Sequence, residues 1–110
     1  MNDFHKSKRL LKKADYDNVF GHANKWVTSK FIFLHCDNTV GHARLGLAIS
    51  KKMIAKAHDR NRIKRHLRET FRTKMLPSID IVVLAKRGLE KIQNQTLIDH
   101  LNKAWEKLLG

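Results

Sequence analysis

The sequence predicts an α+β fold, a small mixed sheet with helices before, within and after it, on three observations. Alternating β-prone runs occupy much of 24–50, and a run that is apolar but for Asp80 lies at 79–85. Two stretches carry helical stripes: Ile63, Leu67 and Phe71, then Leu97, Leu101, Ala104, Trp105 and Leu108. No repeat, low-complexity segment or Pro/Ser/Gly-rich linker divides the 110 residues, so one domain spans 1–110.

Each element follows from its residues. Residues 1–12 are rich in Lys and Arg and predict a mobile basic arm. Tyr16, Val19 and Phe20 share one face of a helix over about 13–20, with Gly21 at its C-terminal cap. Residues 24–36 are extended. Alternation puts Phe31, Phe33 and His35 on one face and Ile32, Leu34 and Cys36 on the other. Asp37 to Gly41 is a turn signal, and 43–50 alternates Leu45, Leu47 and Ile49 against Arg44, Gly46 and Ala48. The two runs predict a hairpin. A helix follows over about 52–74, ended by Pro77 and Ser78. Its wheel puts Asn61, Arg62, Arg65, Arg68, Glu69 and Arg72 opposite the apolar stripe, with Arg60 and Lys64 flanking it. Ile79 to Ala85 predicts a buried central strand, closed by Lys86-Arg87-Gly88. The last helix starts near Asn94 as N-cap.

Charge indicates the partner. Against 10 acids stand 23 Lys and Arg, a net charge of +13. That calls for a polyanion, with nucleic acid first and an acidic membrane second. No apolar run approaches the roughly 20 residues that span a bilayer. The basic N-terminus lacks an apolar h-region, so no secretory signal is expected. Cys36 is the one cysteine, which permits no internal disulfide. The expected compartment is the cytoplasm.

The distribution of charge sharpens the partner. Residues 51–72 hold nine of the 23 basic residues: Lys51, Lys52, Lys56, Arg60, Arg62, Lys64, Arg65, Arg68 and Arg72. A merely solvated face mixes signs, and here only Asp59 and Glu69 oppose. Arginine forks suit bidentate phosphate contacts and stacking on bases. Tyr16, Phe20, Phe31 and Phe33 are core residues on the plainer reading, although an exposed ring among them would stack single-stranded bases. The seven histidines show no metal-ligand spacing, the acids are scattered, and the five glycines form no phosphate loop. No catalytic residue and no metal ligand is assigned. The residues alone lead to a basic RNA- or DNA-binding domain.

Residues 44–72, RLGLAISKKMIAKAHDRNRIKRHLRETFR, closely resemble the protein component of bacterial ribonuclease P. The matching motifs are Arg44-Leu45-Gly46-Leu47, Ser50-Lys51-Lys52 and Arg60-Asn61-Arg62-Ile63-Lys64-Arg65. Asp15-Tyr16 with Val19-Phe20, and Asp80 to Lys86, agree in weaker form. The resemblance implies α-β-β-β-α-β-α order around a four-stranded sheet, with a left-handed β-α-β crossover where the general rule gives a right-handed one. It implies a protein subunit that binds the catalytic RNA and the 5′ leader of precursor tRNA. The holoenzyme then removes the leader at a catalytic site in the RNA, where magnesium is held by RNA.

The resemblance assigns RNA binding to Arg44, Lys51, Lys52, Arg60, Asn61, Arg62, Lys64, Arg65, Arg68 and Arg72, and a leader cleft to Tyr16, Phe20 and Phe33. The partners are the catalytic RNA and precursor tRNA, with no membrane and no obligate protein partner. The protein itself binds no cofactor. The rivals are a structural RNA-binding protein of ribosomal type and a stand-alone ribonuclease using His or Asp.

Overall fold

The computed structural model describes residues 8–10 and 12–109. Helix α1 (Lys13–His22) precedes strands β1 (Asn24–Val27), β2 (Phe31–Asp37) and β3 (Arg44–Ala48). Helix α2 (Ala57–Arg72), strand β4 (Ile79–Ala85) and helix α3 (Asn94–Leu109) complete the α-β-β-β-α-β-α order. The sheet order is β1-β2-β4-β3. Strand β2 is antiparallel to both β1 and β4, and β3 is parallel to β4.

The predicted hairpin between 31–36 and 43–50 does not form. Strand β4 lies between them, because Ile79 to Val83 are all buried and such a strand needs cover on both edges and faces. The connection passes the end of β4 instead. Asn38 N–H donates to the Ser78 carbonyl at 3.0 Å, Gly41 N–H donates to Ser78 Oγ at 3.1 Å, and Gly41 turns at φ +88°. The hairpin that does form joins β1 to β2 through Thr28-Ser29-Lys30. Thr28 Oγ1 accepts from the Phe31 N–H at 3.0 Å and the Lys30 N–H at 3.3 Å.

Boundaries shift for local reasons. Helix α1 runs through Gly21 to His22 and leaves into extended Ala23, so Gly21 is no left-handed cap. Helix α2 starts at Ala57, since Met53 and Ile54 N–H groups close a separate turn on the Ser50 carbonyl. It stops at Arg72, five residues before Pro77. Asn94 is the first residue of α3, and the Gln93 carbonyl accepts from the Leu97 N–H at 3.0 Å. The Lys8–Leu10 part of the predicted arm is packed. Arg9 bridges Leu45 in parallel, the Leu10 N–H donates to the Leu45 carbonyl at 3.0 Å, and Leu10 is buried. The rest of the arm, 1–7 and 11, lies outside the described residues.

The two sheet faces are unequal. Helices α2 and α3 cover one face and enclose the main core, which includes Phe31, Phe33, Leu45, Ile63, Leu67, Ile81, Val83 and Trp105. The Trp105 indole donates to Thr70 Oγ1 at 2.8 Å, and that hydroxyl donates to the His66 carbonyl at 2.7 Å, so these polar atoms are paired inside the core, whereas the buried His66 Nε2 has no hydrogen-bond partner among the described residues. On the other face α1 covers only one end, burying Leu10, Val19, Cys36 and Val82. Ile32, Leu34, Ala48 and Leu84 remain half-buried on that face. Helix α1 crosses the sheet at the Cys36 end of β2, so the rows beyond it form a groove with an apolar floor.

Candidate RNA interface

The groove is built from α1 downward. Tyr16 lies directly over Gly46: a Cβ on that glycine would stand 2.8 Å from two ring carbons and 2.9 Å from the hydroxyl oxygen. One turn on, Phe20 is 50% exposed, an unusual state for a ring this large in a core. Register places Leu34, Val82 and Gly46 in one row, and Val27, Ile32, Leu84 and Ala48 in the next. Both predicted α1 rings thus border the half-covered floor.

Phe33 does not. It is fully buried on the opposite face, stacked on Trp26 at 5.2 Å between ring centroids and edge-on to Trp105 at 5.5 Å. Strand alternation sends Phe33 to the side opposite Ile32 and Leu34, so it leaves the leader-cleft set.

Positive charge rims the groove beside β3. Arg9, Leu10, Tyr16, Leu45, Leu47, Lys64 and Arg68 enclose a cavity of about 190 Å³. Burial first, then the neighbouring Arg9, lowers the Arg68 pKa, opposed by Tyr16. Two guanidinium groups share this space, which suits an anion.

The remaining predicted contacts divide by what their side chains touch. Arg44 donates from Nε and Nη2 to the two Asp80 carboxylate oxygens, each at 2.8 Å, and stands 3.7 Å from Asp15. Asn38 adds a 2.8 Å bond to the same Asp80, which is 2% exposed. Asp80 comes first in raising the Arg44 pKa. This arginine ties α1 to the sheet beneath it. Arg60 donates to the Ile54 and Ala55 carbonyls at 2.9 and 2.8 Å, holding the turn before α2. Arg62 does not sit free on the outer face: it donates to the Ile92 and Glu90 carbonyls at 2.8 and 3.1 Å and to Asn94 Oδ1 at 2.9 Å. These bonds fasten α2 to the loop before α3.

Lys51, Lys52, Asn61, Arg65 and Arg72 are exposed, and Lys64 and Arg68 are half-buried toward the groove. His58, Asn61, Arg62 and Arg65 surround an open depression on the outer side of α2. Sequence reasoning missed the floor residues Ile32, Leu34, Ala48 and Leu84. Alternation had set the first three on the correct face, but nothing local revealed that α1 would leave them uncovered.

Among the described residues no three His, Cys, Asp or Glu side chains gather as a metal site, and no helix is long and apolar enough to cross a membrane.

Comparison with known proteins agrees with this architecture. The family model described as ribonuclease P matches residues 4–109. A ribonuclease P protein component from Legionella pneumophila (strain Corby) is 61% identical over 105 residues, covering 96% of this chain and 92% of that protein. The ribonuclease P protein of Staphylococcus aureus, solved at 2.0 Å, superposes with a TM-score of 0.82 at 28% identity, covering 96% of this chain and all of that one. That of Thermotoga maritima gives 0.80 at 27% identity, with coverages of 93% and 98%. A +13 chain with a half-covered sheet, an arginine-bearing α2 and these relatives belongs to the ribonuclease P protein-component family.

Proposed function

We propose that this ribonuclease P protein subunit binds the catalytic RNA through the exposed basic surface around α2 and grips the 5′ leader of precursor tRNA in the groove under α1. The observation that carries the reading is a pair of α1 rings one turn apart: Phe20 is half exposed, and Tyr16 lies on the half-covered sheet face and lines the cavity that Lys64 and Arg68 share. A leader of arbitrary sequence needs stacking rings and phosphate contacts more than a base code, and this groove offers both. Lys51, Lys52, Asn61, Arg65 and Arg72 are the contacts for the catalytic RNA, while Lys64 and Arg68 face leader phosphates. Arg44, Arg60 and Arg62 act one step back, by holding the surfaces that bind.

In this reading the chemical step, hydrolysis of one phosphodiester bond, belongs to the RNA subunit. Magnesium would supply Lewis-acid and nucleophile activation there, and no residue of this chain is assigned to hold it. The protein contributes charge. RNA helices packed together repel one another, and a +13 subunit within about 8 Å, the physiological Debye length, offsets that repulsion. The cytosol is the proposed setting.

The test is reconstitution with the cognate catalytic RNA at low magnesium. Stimulated cleavage of precursor tRNA at the mature 5′ end is expected. Binding without stimulation would indicate a structural RNA-binding role, and cleavage by the protein alone would indicate a separate nuclease.

A further inference from the structure

A second aromatic and basic surface lies away from the groove. Trp26, Thr28, His100, Lys103, Ala104 and Lys107 line a cavity of about 240 Å³ between β1 and α3. None of the six is acidic. One face of the Trp26 ring rests on Phe33, and Lys107 Nζ stands 5.9 Å from the ring centroid. The His100 ring packs on Phe31 at 5.9 Å between centroids, with Nε2 3.0 Å from Thr28 Oγ1. Burial, then Lys30 and Lys103, push the His100 pKa below its ordinary value of 6.5, so at neutral pH it adds a flat uncharged wall to a positive surround. The volume falls short of the roughly 300–1,000 Å³ that drug-sized ligands fill, and it suits one planar ring.

Position links this cavity to the groove. Strand β1 is an edge strand, paired only with β2. Val27 is 48% exposed and sits in register with Ile32, on the groove face. Trp26, the adjacent residue, faces the other side. A strand of RNA that leaves the groove over Val27 therefore meets Trp26 by passing one edge strand. Strand β3, on which α2 packs, is at the opposite edge of the sheet, three strand spacings or about 14 Å from β1.

We infer that this cavity holds an unpaired nucleotide of the precursor leader, upstream of the part in the groove. The base stacks on the outer face of Trp26, and Lys107 and Lys103 turn to its flanking phosphates. This rests on the leader reading above.

The experiment uses holoenzyme assembled with the catalytic RNA, and compares mature tRNA with precursors carrying leaders of roughly 4 and roughly 12 nucleotides. Wild type should bind the longer leader more tightly than the shorter. Trp26→Ala should remove that gain, a loss of about 5–150-fold on the longer leader, with short-leader affinity kept. Lys103→Ala combined with Lys107→Ala leaves the Trp26–Phe33 stack in place and should also remove the gain. Trp105 is fully buried, so quenching of tryptophan fluorescence by the longer leader alone would report Trp26.

Equal affinity of wild type for both leaders overturns the inference, as does a gain that survives in the lysine double variant. The groove reading fails separately, if Phe20→Ala leaves short-leader affinity unchanged.

Discussion

The Tyr16 ring occupies the space that a side chain on Gly46 would fill, 2.8 Å from its missing Cβ. Gly46 belongs to the β3 motif Arg44-Leu45-Gly46-Leu47, and Tyr16 to a helix thirty residues earlier. The glycine is thus a seat for the ring, and its backbone conformation has no part in the choice, since its φ is not positive.

Gly46→Ala should displace Tyr16. A methyl group forced into this contact is expected to cost about 1–3 kcal/mol of stability. It should also reduce binding of precursor tRNA relative to mature tRNA. Tyr16→Ala added to Gly46→Ala should cost less precursor affinity than it does in wild type, because the ring has already lost its place. A double-mutant cycle on precursor affinity checks this, and strict additivity would separate the two residues.

The arginines divide into holders and binders. Arg62→Ala breaks three bonds between α2 and the loop before α3, and is expected to lower the urea unfolding midpoint. Arg44→Ala strands the buried Asp80 carboxylate and should cost more, about 3–5 kcal/mol. Arg65→Ala, at an exposed position, should stay within about 0.5 kcal/mol of wild type. It should instead lower the salt slope of catalytic-RNA binding by roughly one phosphate equivalent. Unfolding and RNA titrations on the same three variants decide it, and a reversed ranking would make Arg62 a binder and Arg65 a holder.

Periodicity made the α2 stripe readable, since Ile63, Leu67 and Phe71 need only a 3.6-residue repeat to be placed in the core. The same wheel put Arg62 on the outer side, where it does line the depression with Asn61 and Arg65, but its bonding partners are 28 to 32 residues away and invisible to any local pattern. Strand faces were legible for Ile32 and Leu34, while strand neighbours were not. The loop after β2 resembles a hairpin turn, and only the two-sided burial of β4 puts that strand between β2 and β3. Phe33 failed for a related reason. Alternation assigned it a face without saying which face the helices would cover.

His100 gives stability a pH dependence. Burial, with Lys30 and Lys103, holds its folded pKa below 6.5. As pH falls below about 6.5 the unfolded chain takes up the proton first, so unfolding is favoured. This contribution is therefore fully present above pH 6.5 and is lost as pH falls toward and through the folded pKa. His100→Gln keeps a partner for Thr28 Oγ1 and removes the titration. The stability difference between wild type and variant should shift against wild type from pH 7 to pH 5. Parallel urea midpoints across that range would count against a depressed pKa.

Phe20 is the most direct probe of the groove. It is half exposed on α1, whereas Val19 beside it is fully buried, so the two separate binding from folding. Val19→Ala should lower the unfolding midpoint and weaken precursor and mature tRNA alike, through loss of folded protein. Phe20→Ala removes a half-exposed ring and opens no enclosed cavity, so it should lower the midpoint less than Val19→Ala does. If its ring stacks on a leader base, precursor binding by the holoenzyme should fall by about 1–3 kcal/mol, and mature tRNA binding should hold. The ratio of precursor to mature affinity is the measured quantity, because it cancels any change in assembly with the catalytic RNA. Phe20→Trp should preserve the ratio, since a larger ring still offers a stacking face. An unchanged ratio in Phe20→Ala would mean that the leader lies elsewhere on this face and that Phe20 is an exposed apolar residue without a base against it.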